Sequence, residues 1–210
     1  MSEDNREAIL TALAAEHQAM QGVIMASVNE QQARASMFLL SVSGALVAIG
    51  IMAQSDNVLL FAGVMIAALY VIGLLTIMRL VDVGMESMQS EVTIAKIKRY
   101  YRTLGSPADD LFEVPLGRWP EGEMDSGHVI GEMLGLLTTA ASMIACVNGF
   151  IGGSGLALLM HHLVPTSLTV AVIGGGAFVV AQVVVAYWYQ TWRIDKLVKI
   201  AADRGLLRTM

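Results

Sequence analysis

Along this 210-residue chain the apolar positions gather into four long blocks, and nearly all the charge falls between them. The blocks are 36–54 (SMFLLSVSGALVAIGIMAQ), 58–78 (VLLFAGVMIAALYVIGLLTIM), 131–152 (GEMLGLLTTAASMIACVNGFIG) and 167–189 (SLTVAVIGGGAFVVAQVVVAYWY). A helix crosses about 30 Å of hydrocarbon in roughly 20 residues. Lipid offers nothing to an unpaired backbone group, so each block predicts a transmembrane α-helix. The period-two alternation of a barrel strand is absent.

The polar stretches have their own periodicity. Leu10, Leu13, His17, Met20, Ile24, Ser27 and Gln31 recur every three or four positions, and no proline falls between Glu7 and Gln54. This predicts one long helix that begins outside the membrane and becomes the first span. After the second span, Val81, Met85, Met88, Val92, Ala95 and Tyr100 continue in the same way up to Gly105 and Pro107, a helix-stop signal. The stretch 106–127 carries Leu111, Phe112, Val114, Leu116 and Trp119 and predicts a loop docked on the protein. Beyond the fourth span, QTWRIDKLVKIAADRGLL predicts a short amphipathic helix ending near Gly205, rooted in the aromatic belt of Tyr187, Trp188, Tyr189 and Trp192.

Composition agrees with this picture. The chain is 55% hydrophobic and 15% charged, against about 25% charged in soluble domains. The N-terminus, MSEDNREAIL, lacks the basic flank of a secretory signal, so insertion is expected to rely on the internal blocks. All 13 Lys and Arg lie before the first block, between the second and third, or after the fourth. The connections QSDN (54–57) and GSGLALLMHHLVPTS (153–167) have none. Cationic side chains are retained on the cytoplasmic side, which places both termini and the central segment inside.

The expected fold is therefore an all-α integral membrane protein, with four transmembrane helices in two hairpins and cytoplasmic helical extensions. Its parts are a cytoplasmic helix (1–35), a first transmembrane hairpin (36–80), a cytoplasmic helix and docked loop (81–130), a second hairpin (131–189) and a cytoplasmic C-terminal helix (190–210). The expected location is the bacterial inner (plasma) membrane, with the bilayer itself as first partner. No sequence repeat relates the hairpins.

Charge also decides how to read KIKRYYRTL (96–104). Basic residues among aromatics suit a nucleic-acid surface, but they also suit a cytoplasmic membrane edge. The net charge is −5, and six acids between Asp109 and Asp125 outweigh the local cations. Lys96, Lys98, Arg99 and Arg102 are read as interface anchors, like Trp188 and Trp192, and no nucleic-acid partner is expected.

Candidate chemistry concentrates in the third block. Glu132, Gly135, Thr139, Ser142, Cys146 and Gly149 share one small, mildly polar face. Such a face suits close helix packing or, in a ring of subunits, a permeation path with Glu132 at its mouth, within reach of His128. Asn148 is a second polar group deep in that block and suits an interhelical hydrogen bond. Gly174, Gly175 and Gly176 in the fourth block suggest helix packing. They lack the strand and lysine of a phosphate loop. His161 and His162 point to different helix faces, with Asp56 the nearest acid on that side, so no metal site is expected. One cysteine excludes an internal disulfide. No catalytic spacing is present, so neither an enzyme nor a cofactor is expected.

The helix AEHQAMQGVIMASVNEQQARASMFLLSVSGALVAIG running into a two-span hairpin, then IKRYYRTLGSPADDLFEVPLGRW, resembles a loose group of uncharacterised bacterial four-span membrane proteins. More distantly it is similar to SLATT-type membrane effectors of nucleotide-signalled anti-phage systems. The resemblance covers roughly residues 10–120 and transfers no binding residue. SLATT-type proteins have one two-span hairpin, and the second pair here departs from them. The resemblance implies pore formation and a stress or defence role. The leading expectation is thus an oligomeric inner-membrane protein, a homo-oligomer, that forms or gates a small ion pathway. The alternative is a non-conducting scaffold or sensor acting through a cytoplasmic protein partner. A small secondary transporter using Glu132 is a third reading.

Overall fold

The computed structural model describes residues 3–104, 135–164 and 167–203. Among these the chain is helical with no strand. Four helices carry it: α1 (Glu3–Met52), α2 (Val58–Arg102), α3 (Ala140–Leu163) and α4 (Leu168–Asp203). All four are long and apolar enough to cross a membrane. At 1.5 Å per residue α1 is about 75 Å long, more than twice the thickness of a bilayer core.

The described residues fall into two compact units. The first takes 3–30, 82–104 and 193–203, with Gly135; the second takes 31–81, 136–164 and 167–192. In the first unit the polar-stretch periodicity appears as burial. Leu10, Leu13, His17, Met20 and Ile24 are half-buried and Ser27 is buried, while most of their neighbours on α1 are exposed. Val83, Met85, Val92 and Ile97 of α2 and Ala201 of α4 are buried too. Asp82 and Arg193 form an ion pair at 2.6 Å. Both are about a third exposed, so the pair contributes at most about 1 kcal/mol.

The second unit has a core made by all four helices: Phe38 of α1, Ile77, Leu80 and Val81 of α2, Ala141, Ile144 and Ala145 of α3, and Ala186 of α4. Around it the apolar surface faces outward. Leu40, Ile51, Leu60 and Phe150 are 71, 78, 72 and 64% exposed. A monomeric soluble protein does not expose apolar side chains on this scale.

Local chemistry sets the helix ends. Residues 53–57 join α1 to α2 in a tight turn, with Ser55 N–H donating to Met52 O at 2.9 Å and Val58 N–H to Ser55 O at 3.1 Å. Ser167 caps α4, its hydroxyl accepting from Val170 N–H at 3.4 Å. Val164 ends α3 in an extended conformation, φ −117° and ψ 134°, as the residue before a proline favours.

The third helix corrects the sequence reading, which placed the span at 131–152 and a loop at 153–167. α3 starts nine residues later and runs to Leu163. Thr139 is its N-cap, accepting from Ser142 N–H after a short 3-10 turn, Leu136–Thr138. GGSG at 152–155 looks like a loop in sequence but stays helical, because its glycines face neighbouring helices. A methyl built on Gly153 would lie 2.6 Å from the Gly175 carbonyl oxygen, and one on Gly175 would lie 2.5 Å from that of Gly153. The two backbones touch there with no room for a side chain.

Candidate functional site

The site grows out of the α3–α4 seam. Ala145, Gly149, Gly153 and Ala157 repeat every fourth residue on α3, the spacing that lets helices approach closely. Gly149 packs on Val179, and Gly153 and Ala157 on Gly175. At the Thr139 end the same two helices are joined by polar side chains. Gln190 Nε2 donates to Ser142 Oγ at 2.9 Å, and Ser142 Oγ donates to Leu136 O at 2.7 Å. The Thr139 hydroxyl has three acceptors for its one proton, Leu136 O at 2.9 Å, Gln190 Oε1 at 3.0 Å and Ser142 Oγ at 3.2 Å. Ser142 and Gln190 are only 7 and 4% exposed, so the network is sheltered and internally satisfied.

Further along, satisfaction fails. Asn148 is 0% exposed and Gln182 9%, and among the described residues neither amide has a hydrogen-bond partner. Asn148 lies against Gly73 of α2, its side chain occupying the space a Cβ on Gly73 would take. The Ser142–Gln190 bond at one end and the Gly149–Val179 contact at the other set an antiparallel register. That register brings Gln182 level with the α3 turn holding Ala145 and Asn148. Among the described residues of this unit, the buried polar side chains are therefore Ser142, Asn148, Gln182 and Gln190, all on two facing helices. An amide in an apolar medium without a partner costs several kcal/mol on hydrocarbon scales and about 1–3 kcal/mol in proteins.

The small polar stripe read from the sequence divides here. Ser142, Asn148 and Gly149 are buried within the chain's own unit and Thr139 is half-buried. Cys146 is exposed, on the same outward side as Met143 and Phe150, which are 63 and 64% exposed. Gly135 is half-buried. Glu132 and His128 lie outside the described residues, as does the segment 106–127 expected to dock. In the GGG run Gly175 meets Gly153, and a methyl on Gly174 would lie 2.8 Å from the Met160 sulfur, whereas one on Gly176 would meet nothing. Only two of the three glycines serve packing. Trp188 and Trp192 are 65 and 48% exposed. Lys96 and Arg99 are exposed, while Lys98 and Arg102 are half-buried.

Sequence reasoning passed over Gln182, Gln190, Gly73 and Gly153. A signal existed for the glutamines: they stand eight residues apart with Ala186 midway, on one face of an otherwise apolar helix. Among the described residues no cluster of three His, Cys, Asp or Glu is placed to hold a metal. His161 and His162 are exposed in the last turn of α3 with ring centroids 5.4 Å apart. Comparison with protein-family models, curated proteins and solved structures finds no match to this chain.

Proposed function

We propose that the chain is an oligomeric protein of the bacterial inner membrane that carries or gates a small ion pathway, with both termini in the cytoplasm. The observation that carries this reading is the pair of orphan amides, Asn148 and Gln182, at mid-length of two helices apolar enough to span. In hydrocarbon an unpaired amide is a standing cost. Polar groups kept at membrane depth mark solvent or ion paths. The Thr139–Ser142–Gln190 network continues the polar track from the cytoplasmic end of α3 toward those amides. Because Ser142, Asn148 and Gly149 face inward, this geometry favours a path inside each protomer over a ring lined by α3 from several subunits.

The test is ion flux into liposomes holding the purified protein. Wild-type protein should conduct, and Asn148→Leu and Gln182→Leu should each abolish flux while leaving the helical content intact. Absence of flux in wild type, or flux untouched by both substitutions, would refute the pathway. Topology is checked with single cysteines in a Cys146→Ser background. Cysteine at Ser55 or His162 should label from outside intact cells, and cysteine at Asp195 should not.

A scaffold acting through a protein partner is the second reading. It is favoured by Val23, Met25 and Val28, which are 39, 61 and 50% exposed in the part of α1 that precedes the span. A stoichiometric partner co-purifying from native membranes, with no flux, would select it.

A further inference from the structure

Beside the polar seam, α2 and α3 leave an open groove of about 760 Å³ on the second unit. It runs from Leu59 to Tyr70 on α2 and from Gly152 to Leu163 on α3, and its walls are almost wholly apolar. Eleven helical rises make it about 16 Å long, close to half of the roughly 30 Å hydrocarbon core. Tyr70 and Phe178 close it at mid-depth. Their rings are 5.9 Å apart, and a methyl on Gly152 would lie 2.5 Å from the Tyr70 ring and 2.6 Å from that of Phe178. The other end opens beside His162, a polar, exposed group at the end of α3.

We propose that this groove is a binding site for one phospholipid of the outer leaflet, its acyl chains lying between α2 and α3 and its phosphate beside the His162 imidazole. The assignment rests on the membrane reading above and is independent of whether the protein conducts. Two features select a lipid. The groove has the length of a single leaflet and a closed floor where the leaflet ends. The polar group on its wall sits at headgroup depth, where an imidazole N–H can donate to a phosphate oxygen.

The site can be blocked without disturbing the fold. A Cβ built on Gly63, which lines the groove, meets no atom within 4 Å, so Gly63→Phe puts a ring into free space. Purified protein in mild detergent would be stripped of lipid, titrated with dioleoyl phosphatidylglycerol and read by native mass spectrometry. Wild type should retain one lipid per chain after annular lipid is lost, and Gly63→Phe should weaken retention about tenfold or more. His162→Ala should weaken it less, because the chains remain buried. No retained lipid on wild type, or equal retention by Gly63→Phe, would overturn the proposal. So would a dimer that Gly63→Phe dissociates while lipid stoichiometry stays the same. Failure of the membrane reading shows differently, as a chain that stays in solution without detergent.

Discussion

The contact between Gly73 and Asn148 makes opposite predictions for one substitution, depending on whether the two helices meet as described. Replacing a helical glycine by alanine ordinarily stabilises by about 0.5–1 kcal/mol, because the unfolded chain loses freedom. At Gly73 the added methyl would enter the volume held by the Asn148 amide. Overpacking of that kind costs about 1–3 kcal/mol. Gly73→Ala should therefore destabilise by about that amount, whereas Gly63→Ala, whose methyl meets nothing, should be neutral or stabilising. Asn148→Ala removes both the obstacle and an orphan amide. The double variant Gly73→Ala/Asn148→Ala should then be more stable than Gly73→Ala alone, with a coupling of about 1–2 kcal/mol. Reversible unfolding in mixed micelles, followed by circular dichroism, gives all four corners of the cycle. Additivity within about 0.5 kcal/mol would mean that the residues do not touch, and the account of Asn148 as a buried, unsatisfied amide would fall with it.

Two further outcomes follow from the α3–α4 seam. Gly153→Leu sets a side chain against the Gly175 backbone, which cannot rotate away, and should cost about 3 kcal/mol or more; unfolding at the wild-type midpoint would show that the seam is not formed. Gln190→Ala removes the donor to Ser142 and one acceptor of Thr139, and at about 0.6 kcal/mol per interhelical bond, with a maximum near 1.7, should cost about 1–2 kcal/mol. Ser142→Ala in the Gln190→Ala background should then add little, and a full additive loss would contradict the network.

Much of the helical plan was legible because it rests on periodicity. The α1 stripe from Leu10 to Ser27 appears in the structure at the expected positions, since a three-to-four spacing of apolar residues has one physical use, a covered face. The bounds of α3 were not legible. Glycines and a serine at 152–155 read as a loop by propensity, and only contacts with Tyr70, Phe178 and Gly175 make them helical. The polar stripe divides for a related reason. A face drawn through Ser142, Cys146 and Gly149 differs by about a quarter turn from one drawn through Ala141, Ala145 and Asn148, and sequence spacing alone does not choose between them. Gln182 and Gln190 were hidden by the valines around them, although their eight-residue spacing was there to be read.

The glycine contact at 153 and 175 also restricts how this unit can move. With backbone lying on backbone, α4 cannot slide along α3 by a full turn without bringing Ala171 or Val179 to the place Gly175 holds against Gly153. A screw motion between these two helices is thereby blocked, and they behave as a single plank.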